Sequence, residues 1–297
     1  MKEITGENVS NIANGVIRGI GYKIEKNKSK NTVKTLNNLW FQYNYTEFNR
    51  FDLQANKFID IKLGNTVCCK CYTPSLLKEG YCNECYQMSE FKKCLFLQQD
   101  SFLGKGITCT KDDPPCNEFK NAEYCHSEHI LYIGRLGNEE KVGISRAKRK
   151  GSYLQRFVEQ GLNEVIVVRG FKSLQEVQSQ EIELMKIGFV DKLSFVDKIN
   201  NSTDNPPSSI IEYKNVLAKK YPDQKIEYWS IYDDIAIPPA KFELHPTSDE
   251  IKHIQGKIKH IQGSILIIET ENEEYSVNLN SILHHQILNK HGDREVQ

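Results

Sequence analysis

Short runs of alternating apolar and polar residues fill the first 66 positions, as in GVIRGIGYKI and KFIDIKL. Because the side chains of a β-strand point alternately to its two faces, this pattern predicts half-buried strands, separated here by turns rich in lysine and asparagine. The pattern returns near the C-terminus in SILIIETENEEYSVNL. We therefore expect β-rich segments at residues 1–66 and 241–297.

Two copies of a heptad, IKHIQGK and IKHIQGS, cover residues 251–264. Two copies are too few for a solenoid, and the glycine in each copy favours strands and a hairpin over a coiled coil. His253 and His260 occupy equivalent places in the two copies. We interpret these histidines as surface residues of a duplicated turn rather than as metal ligands.

Residues 129–204 mix strand-like and helix-like patterns. The predicted elements are strands at 131–133 and 141–144 around the turn Leu136-Gly137-Asn138, a helix at 152–161, a strand at 164–170 and a helix that Ser173 caps. This order is β-β-α-β-α. Residues 205–240 contain two Pro-Pro pairs around the helical pattern SSIIEYKNVLAKKY, which predicts a connector with one helix. The fold class is therefore predicted to be α+β.

Charge is balanced over the whole chain, with 39 lysines and arginines against 39 aspartates and glutamates. This balance excludes a basic field over the whole molecule, so any affinity for nucleic acid has to come from a local patch. Arg146, Lys148, Arg149 and Lys150 form such a patch in the sequence SRAKRKG. No apolar run resembles a signal peptide or is long enough to span a bilayer, so we expect a cytoplasmic protein without membrane contact.

All nine cysteines lie between Cys68 and Cys125, which favours metal binding over disulfides in a chain without a secretory signal. Cys68-x-x-Cys71 and Cys82-x-x-Cys85 are two knuckles ten residues apart. A two-residue gap lets both sulfurs of a knuckle face one point, so four thiolates can surround one zinc ion. Residues 67–128 are therefore predicted to be a segment ordered by structural zinc.

The remaining cysteines are less regularly spaced. Cys94, Cys109, Cys116 and Cys125 are the candidate ligands of a second zinc ion. His129 lies four residues after Cys125 and can replace one of these thiols. Which four groups bind is left open by the spacing.

The order β-β-α-β-α, together with LYIG and KVGIS, resembles the GIY-YIG nuclease superfamily over about 75 residues. The resemblance is to a divergent branch whose second strand reads KVGI(S/T). It implies that Tyr132, Gly143, Arg156 and Glu181 match the family's first-strand tyrosine, "YIG" glycine, helical arginine and metal-binding glutamate. The second-strand tyrosine is absent, and Lys141 or Val142 stands near its place.

The resemblance implies hydrolysis of phosphodiester bonds. Tyr132 would act as general base, Arg156 would bind the non-bridging oxygens, and Glu181 would hold Mg²⁺ or Mn²⁺. Lys141 would assist as a charge beside the phosphate or the phenol. Gly143 would let the backbone approach the phosphate.

A wider resemblance covers nearly the whole chain. Cysteine knuckles, a further Cys/His cluster, the H-x-LY…KVGIS motif, R-F-x-E-Q-G and a glycine-containing C-terminal hairpin resemble an uncharacterised prokaryotic family that places a zinc segment before a GIY-YIG-like module. We expect either a metal-dependent endonuclease or a catalytically silent protein that binds nucleic acid or ribonucleoprotein. A protein-interaction adaptor is a third, weaker hypothesis.

Overall fold

The computed structural model describes residues 2–3, 15–27, 29, 32–43, 47–77, 80–88, 127–148, 153–200, 210–231, 242–244 and 253–288. More of these residues lie in strands than in helices, and this mixture confirms the predicted α+β class. No helix within these ranges is both long and apolar enough to cross a bilayer. The chain divides into two compact units. The first comprises Met1–Lys23, Leu36–Met88 and Pro238–Gln297, and the second comprises Ile24–Thr35 and Ser89–Ile237.

The elements fall in both units and are numbered here along the chain. The strands are β1 (Lys2–Glu3), β2 (Gly15–Asn27), β3 (Thr32–Tyr43), β4 (Glu47–Leu53), β5 (Phe58–Thr66), β6 (His129–Leu136), β7 (Glu139–Arg146), β8 (Glu164–Phe171), β9 (Lys225–Ser230), β10 (Phe242–Leu244), β11 (His253–Gln262), β12 (Ile265–Glu269), β13 (Glu274–Asn278) and β14 (His285–Leu288). The helices are α1 (Asn83–Gln87), α2 (Leu154–Gln160), α3 (Leu174–Lys186), α4 (Phe195–Asn200) and α5 (Glu212–Lys220). The division of the chain into five segments, which the sequence predicted, stays a prediction.

The first unit is built mainly from strands in the order β10-β13-β12-β11-β5-β14-β2-β3, with β4 beside β3 and β1 beside β4. Its alternating sequence explains its core, because every second residue of β5 turns inward. Ile59, Ile61 and Leu63 are fully buried and pack with Ile254 and Ile258 of β11. Burial of this face is what specifies the strand register.

Residues 253–262 of the heptad repeat form β11 and not a duplicated turn, so this part of the prediction was wrong. Ile254 and Ile258 bury their side chains, and this burial makes one continuous strand of the two copies. His253 Nε2 lies 2.8 Å from Asp60 Oδ1, and His260 Nε2 lies 3.4 Å from Gln262 Oε1. The turn is formed by Gly263 and Ser264 at the end of the second copy, and it joins β11 to its hairpin partner β12.

The second unit contains an antiparallel sheet with the strand order β9-β8-β6-β7. Along the chain, its elements β6, β7, α2, β8 and α3 follow the predicted order β-β-α-β-α. Ser173 caps α3 as predicted, since its hydroxyl accepts a hydrogen bond from Glu176 N at 3.2 Å. Gly161 ends α2 in the left-handed region, with φ of 75°.

The two faces of this sheet differ in what they bury. Leu131 and Ile133 of β6 pack in a core with Leu174, Val177 and Leu184 of α3. Tyr132, which lies between them, points to the opposite face, where its ring lies 4.7 Å from that of Phe157 on α2. The Tyr132 side chain therefore packs on the face of the sheet that α2 covers.

Candidate functional site

The four cysteines of the two predicted knuckles come together in the first unit. Cys68 and Cys71 lie in the loop after β5, whereas Cys82 and Cys85 lie at the start of α1. All four Sγ atoms are within 4.8 Å of one another, and those of Cys71 and Cys82 are 3.6 Å apart. Four sulfurs around one tetrahedral metal ion have separations of about 4 Å. The group can therefore hold a metal ion.

Local backbone geometry directs these sulfurs inward. Tyr72, directly after the first knuckle, and Gly80, just before the second, adopt positive φ angles of 62° and 81°. Lys70 N donates to Cys68 Sγ at 3.4 Å, an amide-to-sulfur bond that favours the thiolate. Cys69 lies between two ligands and stands outside the group of four, as predicted.

The protonation of the cluster is uneven. Burial opposes ionisation of Cys68, but backbone hydrogen bonds from Cys71, Cys82 and Lys70 together lower its pKa to about 6. Burial and the neighbouring thiols raise the pKa of Cys85 to about 12. Hydrogen bonds with Thr73 also lower the pKa of Cys71. The Cys68 thiolate therefore forms easily, whereas the Cys85 thiolate requires a cation to compensate its charge.

His284 and Arg18 support the knuckles in a way that the sequence did not reveal. A Cβ at Gly80 would lie only 2.7 Å from His284 Nε2, so the imidazole packs directly on this glycine. His284 O accepts from Val67 N at 2.9 Å, just before Cys68. Arg18 stacks over the Tyr72 ring at 5.1 Å. The knuckles are thereby fixed to β2 and to the residue before β14.

The second predicted zinc site remains a prediction. Cys94, Cys109, Cys116 and Cys125 lie outside the described residues. His129, the alternative ligand, is buried at the start of β6, and its Nδ1 lies 2.7 Å from Ser127 O. Burial lowers its pKa, which keeps the imidazole neutral.

The four residues predicted to form a catalytic pocket lie on four different elements of the second unit. Tyr132 is on β6, Lys141 on β7, Arg156 on α2 and Glu181 on α3. Arg156 and Glu181 both act electrostatically on Tyr132 and on Lys141, so the fold brings the four side chains into range of one another. Gly143 is the cross-strand partner of Tyr132 and leaves room for its hydroxyl, which a Cβ at this position would overlap.

The hydroxyl of Tyr132 is joined to Arg156 through Gln160. With its amide oriented to satisfy both neighbours, Gln160 accepts from Arg156 Nε at 2.9 Å and shares a hydrogen bond with Tyr132 Oη at 3.0 Å. Tyr132 is only 1% exposed. Its burial raises the pKa of the phenol, so the sequence-based role of Tyr132 as general base is disfavoured.

Lys141 is buried, although a lysine at a strand start is often an exposed edge residue. Its Nζ donates to Asp191 O at 2.7 Å and lies 6.0 Å from the centre of the Tyr132 ring. Burial lowers the pKa of Lys141 to about 8, and the positive charge of Arg156 adds to this effect. The ammonium is therefore held where its charge is costly.

Lys198 on α4 also interacts electrostatically with Lys141 and Arg156, and the sequence did not predict it. Burial and Arg156 lower its pKa to about 8, and its own charge lowers that of Lys141. No sequence pattern marks Lys198, because it lies in the short helix FVDKIN without a motif. The segment before this helix runs beside β7, where Val142 N donates to Val190 O at 2.8 Å.

The predicted basic patch follows β7. Arg146, its last residue, and Lys148 are exposed. Arg149 and Lys150 lie outside the described residues. The patch therefore begins on the same strand that carries Lys141 and Gly143.

Comparison with known proteins adds one match. A family model described as a protein of unknown function (DUF2797) matches residues 56–287. The matched range includes the four clustered cysteines, the sheet of the second unit and most of the C-terminal strands. No curated protein and no solved structure matches the chain.

Proposed function

Because the chain belongs to the DUF2797 family, whose function is unknown, we propose an activity from its own residues: metal-dependent hydrolysis of phosphodiester bonds in nucleic acid by a GIY-YIG-type module. The observation that supports this proposal most is the convergence of Tyr132, Lys141, Arg156 and Glu181 from four elements. A buried lysine beside an arginine and a carboxylate is costly for folding, and such arrangements cluster at functional sites.

Arg156 is suited to bind the non-bridging oxygens of a phosphate. Its side chain is 45% exposed, the Gln160 amide accepts from its Nε at 2.9 Å, and one of its terminal nitrogens lies 3.9 Å from Glu159 Oε2. Fixed donors of this kind stabilise the extra charge of the transition state. The Tyr132 hydroxyl occupies the space over Gly143, so the role of Gly143 in phosphate approach that the resemblance implied is disfavoured.

Glu181 supplies the carboxylate for Mg²⁺ or Mn²⁺, and a single carboxylate with water and substrate oxygens is a common binding mode for Mg²⁺. Three cations act on this part of the pocket, so Glu181 by itself attracts a divalent ion weakly. A phosphate bound beside Glu181 adds negative charge and so strengthens the attraction for the divalent ion. When bound, the ion stabilises the developing charge on the phosphate.

Lys141 is better suited than Tyr132 to accept a proton. With a pKa of about 8, roughly a tenth of the Lys141 side chains are neutral at pH 7, whereas burial raises the pKa of the phenol above its ordinary value. We assign the general base to Lys141. Tyr132 then acts as a positioning residue, because its hydroxyl holds Gln160 and, through it, Arg156.

The decisive experiment measures cleavage of mixed DNA and RNA substrates with and without Mg²⁺. Glu181→Gln should lower cleavage by orders of magnitude while binding survives. Arg156→Ala should slow turnover by about 100-fold, corresponding to about 3 kcal/mol of lost charge stabilisation. Glu183→Gln is the matched control, since Glu183 is exposed on the same helix and pairs with Lys220. Absence of Mg²⁺-dependent cleavage by the wild-type protein would refute the proposal.

The second candidate is a protein that binds nucleic acid without cutting it. The burial of Tyr132 and the absence of the second-strand tyrosine favour this function. It predicts salt-dependent binding by the wild-type protein and no cleavage product under any metal condition. The same assays therefore separate the two candidates.

We propose zinc as the ion held by Cys68, Cys71, Cys82 and Cys85, with a structural role. Four sulfur ligands and no open position are typical of structural zinc. Purified protein should contain about one zinc ion at this site, and Cys82→Ser should lower zinc content and soluble yield. Cys69→Ser is the control and should leave both unchanged. Protein that holds no zinc in reducing, chelator-free buffer would contradict the assignment.

A further inference from the structure

Helix α2, which carries Arg156, is held to the sheet by a hydrogen bond at each end. At its C-terminal end, Gln160 shares a hydrogen bond of 3.0 Å with Tyr132 Oη. At its N-terminal end, the hydroxyl of Tyr153, the residue before α2, donates to Glu227 Oε2 at 2.5 Å. Tyr153 and Gln160 are about two helical turns apart, so both lie on the face of α2 that packs on the sheet.

Glu227 and Tyr132 belong to one cross-strand row of this sheet. Tyr132 of β6 is the partner of Val167 of β8, which is in turn the partner of Glu227 of β9. Cross-strand partners point to the same face, so Tyr132 and Glu227 both face α2. The ring of Phe157 on α2 lies 4.7 Å from that of Tyr132 and 5.9 Å from that of Tyr153. Helix α2 is therefore held against this row at two points, with packed rings between them.

The carboxylate of Glu227 is itself held by several donors, and its side chain is 14% exposed. Trp229 Nε1 donates to Oε2 at 3.2 Å, while nitrogens of Lys225 and Arg169 lie 2.8 Å and 3.6 Å from Oε1. Burial opposes ionisation of Glu227, but hydrogen bonds from Lys225, Tyr153 and Trp229 lower its pKa to about 2. Tyr153 therefore meets an acceptor that stays charged at neutral pH and is fixed on the sheet.

We propose that Glu227 is a positioning residue of the candidate site: through Tyr153 it fixes α2, and with α2 the guanidinium of Arg156. This inference rests on the proposed function and adds to it a residue on β9, a strand outside the GIY-YIG resemblance. Arg156 Nε donates to Gln160 at 2.9 Å, and a terminal nitrogen lies 3.9 Å from Glu159 Oε2. Both partners are on α2, so the guanidinium follows any movement of the helix.

The test removes one hydroxyl from the full-length protein. Tyr153→Phe deletes the hydrogen bond to Glu227 and keeps the ring. Tyr213→Phe is the matched control, because the Tyr213 hydroxyl donates to Glu140 at 2.9 Å on the opposite face of the same sheet. The readout is exchange of the Arg156 Nε–H with water, followed by nitrogen-15 NMR and assigned by its loss in Arg156→Ala. Exchange should be at least about tenfold faster in Tyr153→Phe, the effect of losing one hydrogen bond to a charged group, and unchanged in Tyr213→Phe.

Cleavage kinetics give a second readout. Tyr153→Phe should lower kcat about tenfold and leave KM within about twofold, because a misplaced Arg156 loses contact with the transition state. In the Arg156→Ala background the same change should lower kcat no further, since residues that act through one another are not additive. Glu227→Gln keeps an acceptor oxygen for Tyr153 and should retain most of the activity, whereas Glu227→Leu should match Tyr153→Phe.

Circular dichroism and thermal unfolding first establish that each variant is folded, and Glu227→Leu replaces Tyr153→Phe if that variant is not. Equal Arg156 exchange in the Tyr153→Phe and Tyr213→Phe proteins would overturn the inference, as would free exchange in the wild type. An equal loss of kcat with and without Arg156 would also overturn it. Faster exchange in Tyr153→Phe alone, with no cleavage by the wild-type protein, would support the inference and refute the proposed function.

Discussion

At the scale of single residues, folding stability and the proposed chemistry place opposite demands on Lys141. It pairs across the sheet with Gly134 and is buried, yet it carries an ammonium whose pKa lies near 8. An apolar residue would suit this position better for stability. A lysine that can lose its proton near neutral pH suits proton transfer.

This conflict predicts the effect of Lys141→Met on stability. Because the folded-state pKa of about 8 lies below the ordinary value of 10.5, folding is penalised by about 3 kcal/mol below pH 8, and the penalty disappears as the pH rises toward 10.5. Lys141→Met removes the penalty but also the hydrogen bond to Asp191. We expect a gain of about 1–3 kcal/mol at pH 7, measured by chemical unfolding followed by tryptophan fluorescence.

The stability gain of Lys141→Met should be smaller at about pH 10, where the wild-type Lys141 is mostly neutral in the folded state. Lys192→Met, which removes an exposed lysine, should change stability little at either pH. A Lys141→Met protein that is less stable than the wild type at pH 7 would show that the ammonium interacts favourably within the folded protein.

At the scale of elements, the cysteine knuckles depend on residues that are distant in the sequence. The spacing Cys-x-x-Cys…Cys-x-x-Cys predicted the four ligands because two residues between sulfurs suffice to aim both at one point. It did not predict His284, which packs on Gly80 and whose backbone bonds to Val67 and Ile17. Such support follows from tertiary packing, which a local motif does not encode.

Gly80→Ala tests this support. A Cβ at Gly80 would lie 2.7 Å from the His284 ring, and the positive φ of 81° adds backbone strain of about 1 kcal/mol. We expect weaker retention of the metal, measured as faster transfer to a chromogenic chelator. Gly19→Ala is the control, since no atom lies within 4 Å of its added Cβ. Equal transfer rates in both variants would mean that His284 does not constrain the knuckles.

At the scale of the whole molecule, alternation and turn signals predicted the α+β class and the β-β-α-β-α order, because burial of one face fixes strands and helices locally. The pocket was only partly predictable. Tyr132, Arg156 and Glu181 came from a resemblance, whereas Lys198, whose charge acts on Lys141, lies in a helix that carries no motif. The charge balance of the whole chain also concealed a local excess of positive charge in the run SRAKRKG after β7.

That local excess leads to the last prediction, which concerns nucleic-acid binding by the whole protein. With zero net formal charge, affinity has to come from the basic residues after β7 and from the candidate site. Reversal of Lys148, Arg149 and Lys150 to glutamate should weaken binding. The slope of log affinity against log salt should fall by about 0.9 for each phosphate of duplex DNA that the variant no longer neutralises.

The matched control reverses Lys186, Lys214 and Lys219, which are exposed on α3 and α5, and changes the net charge by the same amount. Nucleic-acid binding is measured by fluorescence anisotropy over a range of salt concentrations. If both triple variants lower the slope equally, the effect is one of total charge, and the residues after β7 do not bind the nucleic acid specifically. If only the variant after β7 does so, these residues bind phosphates of the nucleic acid. The substrate then extends from the cleavage site to the basic residues that follow β7.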